Sequence, residues 1–504
     1  MNKIYSLIYE IDVNKGGITS SMMSRSFLFA EKGYSIDLVT LDYKENYDVI
    51  EKNLKENGRL HPKVNLLNVY QHYQEKHRNY PMSFEQISYY EKSCKADQDG
   101  YVVSFKNDTT ADYFYNGAYE MQKVWSADGR LLHKVLYNGY SKVRKEEFHM
   151  DGYVHRETLF DKSTGFKKVI RYLAPDGFCY LTEWFNDKGN INGVLLFDRA
   201  SVHLQKFNNH RDFHTYWLEQ LCMKEEDPII ICDGVGSANK VNAMKNGIAR
   251  RYYCVHSNHL DFPHTYGSPV RENHRYALEH IEDYDGLVVL TEEQKEDIEK
   301  DFPSKDNIYV IPHAPRRLHL TEPIDKKNNL FVMIARYHEE KGIDKAIKAM
   351  ALLKDTHPDI ELHIYGSGPH EQEYRKLREQ LGADNVQLHG YASDPGTLYS
   401  EALATLLTSK FEGFSLAICE SFSCATPVIS FNVKYSPAEL IENGKTGLLV
   451  EKDNIEELAN SIAFFYENPQ LAIECGTLAQ EKINDCYNEE ILMNRWENVL
   501  QLKK

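Results

Sequence analysis

The sequence lacks any apolar run long enough to cross a bilayer. Its first apolar stretch, in MNKIYSLIYEIDVNKGG, is short and broken by Glu10 and Asp12. It reads as an opening strand and not as a secretion signal. A Cys-x-x-Cys pair is also missing. The nine cysteines (Cys94, Cys179, Cys222, Cys232, Cys254, Cys419, Cys424, Cys475 and Cys486) are scattered and odd in number. That predicts reduced thiols and argues against a structural zinc site. Positive charge is in deficit, with 59 Lys and Arg against 75 Asp and Glu and a formal net charge of −16. This balance argues against a non-specific nucleic-acid binder, yet it allows a local basic groove for an anionic substrate. The full dinucleotide fingerprint is absent as well. Tyr365-Gly366-Ser367-Gly368-Pro369 carries only part of it, so no NAD site is expected. A cytoplasmic protein is the reading these absences leave.

What is present is 504 residues, 42% hydrophobic and 27% charged, the composition of a globular protein with two or three domains. The opening segment predicts strands at Lys3–Ile11 and Tyr34–Leu41. A Gly-containing loop, Asn14–Gly17, and a helix from Ser20 to about Lys32 lie between them. Such a β-loop-α-β unit builds parallel sheets whose loops bind ligands at the strand ends. From about Tyr89 to Arg199 the pattern changes. Asp99-Gly100, Asn116-Gly117, Asp128-Gly129, Asn138-Gly139, Asp151-Gly152 and Asp176-Gly177, with Lys188-Gly189 behind, supply tight hairpin turns. Aromatic and β-branched runs such as Tyr153–Phe160 separate them. This predicts an antiparallel β-meander inserted into the α/β pattern.

The α/β pattern then resumes with strands at Pro228–Asp233, Arg251–His256, Gly286–Leu290 and Asn307–Pro312. A second α/β lobe begins near Asn329, with strands at Leu330–Ala335, Ile360–Tyr365, Val386–Leu388, Ala404–Leu407, Val428–Phe431 and Gly447–Val450. Helices at Lys341–Leu353 and Glu371–Leu381 separate some of these strands. The tail, Asn488–Leu502, reads as an amphipathic helix. The expected domains are residues 1–80 with 200–318, then 81–199, then 319–504. Two α/β lobes with facing loops define a cleft, a usual site for nucleotide-bearing substrates.

Four motifs fall where that cleft should be. In Phe411-Glu412-Gly413-Phe414-Ser415-Leu416-Ala417-Ile418-Cys419-Glu420, Gly413 and Ser415 stand at a helix start, where exposed N–H groups favour phosphate. Glu412 can face a sugar, and Glu420 can accept from ribose hydroxyls. Taken alone, the segment equally fits an ordinary cap with solvated carboxylates. In Ala335-Arg336-Tyr337-His338-Glu339-Glu340-Lys341-Gly342, Arg336 and Lys341 can neutralise a diphosphate leaving group. A solvated basic pair is the plain alternative. Lys15-Gly16-Gly17 allows close backbone approach to phosphate, or is simply a βα turn. His256, His259, His264 and His274 form a histidine-rich stretch with no carboxylate or Cys to complete a metal site by spacing. His256 is preferred as a hydrogen-bonding group for sugar, with a satisfied core histidine equally compatible.

Taken together, Gly16-Gly17, Arg336 with Lys341, and Glu412 with Glu420 resemble the retaining glycosyltransferases of the GT-B fold. The opening IYEIDVNKGGITSSMMSRS, with ICDGVGS at 231–237 and VHSNH at 255–259, is similar to Gram-positive wall teichoic acid α-glycosyltransferases. The resemblance implies two Rossmann-like lobes around a cleft, with the meander inserted in the N-terminal lobe. It implies donor phosphate contacts at Gly16, Gly17, Arg336, Lys341, Ser415 and Leu416. Donor hydroxyls would meet Glu412 and Glu420, uracil would lie near Gly390-Tyr391, and His256 or His259 would contact the sugar. It further implies a UDP-sugar donor, no metal and no other cofactor, and a poly(polyol-phosphate) acceptor at the inner face of the membrane. In one branch of that group the β-rich insertion mediates a homotrimer. Glucose on poly(glycerol-phosphate) is the preferred pair, and N-acetylglucosamine on poly(ribitol-phosphate) is the alternative. A non-catalytic polymer-binding or assembly protein is the competing class, with Lys142, Arg144, Lys145, Lys167, Lys168 and Arg171 of the meander as candidate phosphate contacts.

Overall fold

A computed structural model describes residues 2–13, 17–201, 204–315, 318 and 325–502. Among them the chain forms three sheets. The first has seven parallel strands, in spatial order Ile308–Val310, Gly286–Val289, Arg250–Cys254, Ile229–Cys232, Lys3–Leu7, Ser35–Thr40 and Leu66–Asn68. Its central strand Ile229–Cys232 is buried throughout, as a strand covered on both faces must be. Cores built on Phe213 and Trp217 on one face, and on Met22, Phe29 and Tyr47 on the other, sandwich it.

The chain leaves this lobe after the helix Val69–Glu75 and returns through the helix His210–Cys222. Between them lies a ten-stranded antiparallel sheet, in chain order from Tyr101–Asn107 to Gln205–Phe207. Every Gly of the turn dipeptides has positive φ, which is why those hairpins needed glycine. The meander starts later than expected. Residues Phe84–Cys94 form a helix, N-capped by the Ser83 side chain. Its Tyr89 and Tyr90 lie against Phe148 of the sheet, so the aromatic content that suggested strand is the helix's packing face.

The second lobe is a six-stranded parallel sheet, in order Val386–His389, Glu361–Tyr365, Lys327–Ile334, Ala402–Leu407, Val428–Phe431 and Gly447–Val450. The two α/β sheets and the antiparallel insertion make this the GT-B architecture. The tail helix, Glu489–Leu500, differs from the boundary drawn at 319–504. Its Met493, Trp496 and Leu500 join the core of the first lobe. Tyr34 donates to Glu497 at 2.9 Å, and Tyr252 donates to the Val499 carbonyl at 3.1 Å. The chain therefore ends by crossing back, because that helix's apolar stripe finds its partner there.

Candidate active-site cleft

Each parallel sheet has one point where the strand order reverses, and a crevice opens there at the strand C-termini. In the first lobe that point lies between Lys3–Leu7 and Ile229–Cys232, so it presents Tyr9, Glu10 and Asp233–Gly236. In the second it lies between Lys327–Ile334 and Ala402–Leu407. The loops leaving those strands are the two expected donor motifs. The crevices face one another across a cavity of ≈ 720 Å³, lined among others by Gly17, His256, His313, Arg336, Lys341, Glu412 and Leu416.

Two glycines let the loops close on this space. Gly342 adopts φ 60°, and a Cβ there would stand 2.0 Å from the Thr408 carbonyl oxygen. The turn carrying Lys341 thus rests directly on the strand end beside it. At Gly413 a Cβ would meet His256 O and Ser257 Cα at 2.6 Å, so bare backbone is what allows the two lobes to touch here.

Lys341 Nζ donates to Glu412 Oε1 at 2.8 Å. Arg336 donates to Glu340 Oε1 at 2.6 Å and is largely exposed. Both cations thus stand in the cleft wall, each resting on a carboxylate. The helix Leu416–Ser423 begins at the same wall, capped by the Ser415 side chain. The Ser415 N–H itself donates to Ser436 Oγ at 2.9 Å and is spoken for. The first-turn N–H groups of Leu416 and Ala417 have no partner within the helix, as at any helix start. Gly390, Tyr391 and Glu420 lie outside the lining of the cavity, with Tyr391 79% exposed at the end of Val386–His389. Gly17 precedes the helix Ile18–Glu31 at the cleft wall, whereas Gly16 lies outside the described residues.

The histidines separate by environment. His259 is fully buried and pairs with the Tyr435 hydroxyl at 3.3 Å, and burial pushes its pKa down to about 4. His264 packs its ring on Phe411, and His274 is buried against Ser257 Oγ at 3.1 Å. His256 alone of the four lines the cleft. Nε2 lies 2.8 Å from Asp233 Oδ1, and Nδ1 lies 3.2 Å from His313 Nε2. Both nitrogens are used inside the protein.

Behind His256, Arg25 forks onto Asp233 with bonds of 2.9 and 2.5 Å, and Ser6 Oγ donates to the same carboxylate at 2.8 Å. Arg25 is 8% exposed and Asp233 is sealed. The guanidinium and His256 hold the Asp233 carboxyl well below the usual carboxylate range despite its burial. Trp496 of the tail helix covers the Arg25 guanidinium at 4.9 Å. Asp233, Cys254 and His256 present ligand-type atoms within 4.8 Å of one another. Arg25 also reaches the Cys254 sulfur at 3.9 Å, so a fixed cation already stands where an ion would sit. This set does not suit a metal.

Arg25, Asp233 and His313 were not singled out from the sequence. A signal existed for two of them. Asp233 and His313 close the apolar runs PIIICD and NIYVIPH, and the end of a parallel strand is where site residues gather.

The basic residues of the inserted sheet are mostly paired. Arg144 bonds Glu146 and Glu157, Arg171 bonds Glu157, Lys145 bonds Glu147, and Lys168 stands 3.7 Å from Asp161. Arg144 and Arg171 reach Glu157 from the strands on either side of it, while the Arg144–Glu146 and Lys145–Glu147 pairs lie within the single strand Ser141–Phe148.

Residues 317–482 match the family model "Glycosyl transferases group 1". The chain is 28% identical to the poly(ribitol-phosphate) alpha-N-acetylglucosaminyltransferase of Staphylococcus aureus, over 99% of both chains. It is 24% identical to the poly(glycerol-phosphate) alpha-glucosyltransferase of Bacillus subtilis, over 89% of this chain and 68% of the relative. The crystal structure of S. aureus TarM, a mutant in complex with fondaparinux, alpha-GlcNAc-glycerol and UDP, superposes with a TM-score of 0.89 at 27% identity, and each chain is covered completely. In both lobes, the inserted sheet and the cleft, this chain is a GT-B protein that resembles the wall teichoic acid α-glycosyltransferases over its whole length.

Proposed function

We propose that this protein transfers a hexose from a UDP-sugar to a poly(polyol-phosphate) wall teichoic acid with retention of configuration. The observation that carries the reading is the meeting of Arg336, Lys341 and Glu412 with Gly17 and the Leu416 helix start around one cavity. Arg336 and Lys341 hold the donor diphosphate, helped by the N–H groups at the start of Leu416–Ser423. As the bond from C1 to the phosphate oxygen breaks, those cations stabilise the charge that develops on UDP. The acceptor hydroxyl forms its bond to C1 on the same face, and its proton passes to the departing phosphate oxygen. Glu412 orients the sugar, Glu420 the ribose, and the Gly390-Tyr391 turn lies beside uracil. No residue of this scheme calls for a metal or another cofactor.

Of the two donor–acceptor pairs, N-acetylglucosamine with poly(ribitol-phosphate) is now preferred over glucose with poly(glycerol-phosphate). The relative named for the former spans this chain from end to end, while the latter matches less of either chain. The ion-paired basic residues of the inserted sheet speak against a purely polymer-binding role. That sheet ends instead on an edge strand, Tyr101–Asn107, open on one side and with Val102 and Phe105 exposed, which supports self-association into a trimer. No helix among the described residues is long and apolar enough to cross a membrane, and a peripheral site at the inner face fits an acceptor made there.

The test is transfer from UDP-N-acetylglucosamine and UDP-glucose to synthetic poly(ribitol-phosphate) and poly(glycerol-phosphate). Released UDP is measured, and the anomeric linkage is read by NMR. One of the four pairs should be turned over well above the rest with an α linkage. No turnover on any pair, or a β product, overturns the reading.

A further inference from the structure

The segment that follows strand Val428–Phe431 is tied through its backbone to the loop carrying Glu412. Glu412 N–H donates to the Lys434 carbonyl at 3.0 Å, and Tyr435 N–H donates back to the Glu412 carbonyl at 2.9 Å. One step further along, Ser436 Oγ accepts the Ser415 N–H at 2.9 Å. Glu412 and the start of the helix Leu416–Ser423 are thus held in place by residues 434–436. All three bonds lie inside the second lobe.

The side chains of the same segment reach the first lobe. Lys434 Nζ stands 2.8 Å from Glu293 Oε1 and also pairs with Asp297, both on the helix Glu292–Asp301. Tyr435 stacks on His259 with ring centroids 5.8 Å apart and planes 4° from parallel. Glu439 Oε2 accepts the Glu292 N–H at 3.1 Å. The receiving surface is itself braced. His259 and Asp297 are buried, Asp297 also accepts from Lys300 at 3.3 Å, and Gln294 donates to the Ser257 carbonyl at 2.9 Å, next to the Gly413 contact. Of the three links between the lobes made by this segment, that of Lys434 joins opposite charges. Asp297 is buried and Lys434 partly so, which limits screening of the pair by salt and water.

We infer that Lys434 is a positioning residue for the transfer reaction: paired with Asp297 and Glu293 across the lobes, it sets the Glu412 loop against the first lobe through the backbone of residues 434–436. Lys434 lies outside the lining of the ≈ 720 Å³ cavity, so it acts through the loop and not on a substrate. The inference rests on the cleft being a UDP-sugar site. The proposed diphosphate contacts, Arg336, Lys341 and the Leu416 helix start, all belong to the second lobe and need no partner from the first. Transfer in the cleft also needs the wall that the first lobe supplies. Breaking the pair should slow transfer and spare UDP binding, because a displacement of about 1 Å at a reacting group is enough to cost on the order of a hundredfold.

The experiment uses the full chain, with kcat read from UDP release on its best UDP-hexose and acceptor and UDP affinity read by calorimetry. Lys434→Met should lower kcat about tenfold to a hundredfold while UDP affinity stays within about twofold of the parent. Lys434→Arg, which keeps the charge, should restore most of the rate. Asp297→Asn should lower kcat by a smaller factor, because Glu293 remains. Removing one member strands the charge of the other, so Lys434→Met with Asp297→Asn is assayed beside the single variants. It should unfold in urea near the parent midpoint and turn over as slowly as Lys434→Met alone, since both changes remove one link. A parental kcat in Lys434→Met overturns the inference. A UDP affinity that falls in step with kcat also overturns it, because a merely structural role would lower both. Losses that multiply in the double variant overturn the pairing with Asp297 as the route. An unaltered protein that turns over no UDP-hexose overturns the functional reading itself, and that failure shows before any variant is compared.

Discussion

Lys341 Nζ and Glu412 Oε1 stand 2.8 Å apart, joining two loops that leave neighbouring strands of the second lobe. The pair is partly shielded, with side chains 22% and 11% exposed. In the proposed reaction the ammonium must turn toward phosphate while the carboxylate turns to the sugar. Lys341→Ala should therefore weaken UDP binding and lower kcat/KM by about a hundredfold or more, the scale of losing one preorganised charge stabiliser. Glu412→Gln should leave UDP affinity near its original value and lower kcat/KM for the UDP-sugar. Calorimetry with UDP and a UDP-release assay separate the two. Equal UDP affinity in Lys341→Ala and the parent would remove Lys341 from the diphosphate site.

Asp233 holds a buried guanidinium, and removing it strands that charge. Asp233→Ala should cost about 3–5 kcal/mol of stability, the usual consequence of leaving one member of a buried pair alone. Arg25→Met together with Asp233→Ala should recover most of that loss, because an apolar side chain fits beneath Trp496. Urea unfolding followed by Trp fluorescence checks both. Loss in the double variant as large as in the single one would show that the pair's charge is not what the core depends on.

Stability should also fall on mild acidification. Burial depresses the pKa of His72 and His259 to about 4 and of His274 to about 3, and it holds His214 and His313 well below the ordinary value. Unfolded, these rings titrate near 6.5. Above that pH both states are neutral and nothing is lost. As pH falls from about 6.5 toward 4 the unfolded chain takes up protons that the folded chain refuses, so stability declines in that window. Carboxylates held below their usual range, such as Asp233, lose their contribution only at lower pH, below about 4. Urea midpoints between pH 7.5 and 4.5 should drop steadily, and His259→Asn should flatten the slope. A midpoint that rises on acidification would contradict the burial of neutral rings.

The parallel sheets and the hairpins were legible because their signals are local. Apolar runs such as PIIICD and turn pairs such as Asn138-Gly139 specify an element without reference to the rest of the chain. The cleft motifs were legible because a strand end is also a local feature. Four things were not. Strand order, which makes Arg336 and Phe411–Ser415 neighbours, arises from crossovers spanning scores of residues. The helix at Phe84–Cys94 was hidden by Tyr89 and Tyr90, whose aromatic character suits a strand as well as a helix face. The Arg25–Asp233–His256–His313 chain joins four distant segments of the first lobe and appears only once Ile18–Glu31 lies on the sheet. The tail helix likewise gives no sign in its own periodicity of which lobe receives it.

The edge of the inserted sheet should decide the oligomeric state. Tyr101–Asn107 pairs with Thr110–Tyr115 on one side only, and Val102 and Phe105 are 71% and 58% exposed on it. An open edge with exposed apolar side chains is a template for association unless charge guards it. Val102→Lys with Phe105→Lys places two charges on that strand far from the cleft. Light scattering should show the mass falling to that of one chain, while UDP release with a short acceptor stays within about twofold of the parent, as is usual for surface changes away from a site. Activity on a long polymer should fall further, because linked sites gain from holding one chain at several points. A parent protein that is already a single chain in solution, or a variant whose mass does not change, would remove this edge from any assembly.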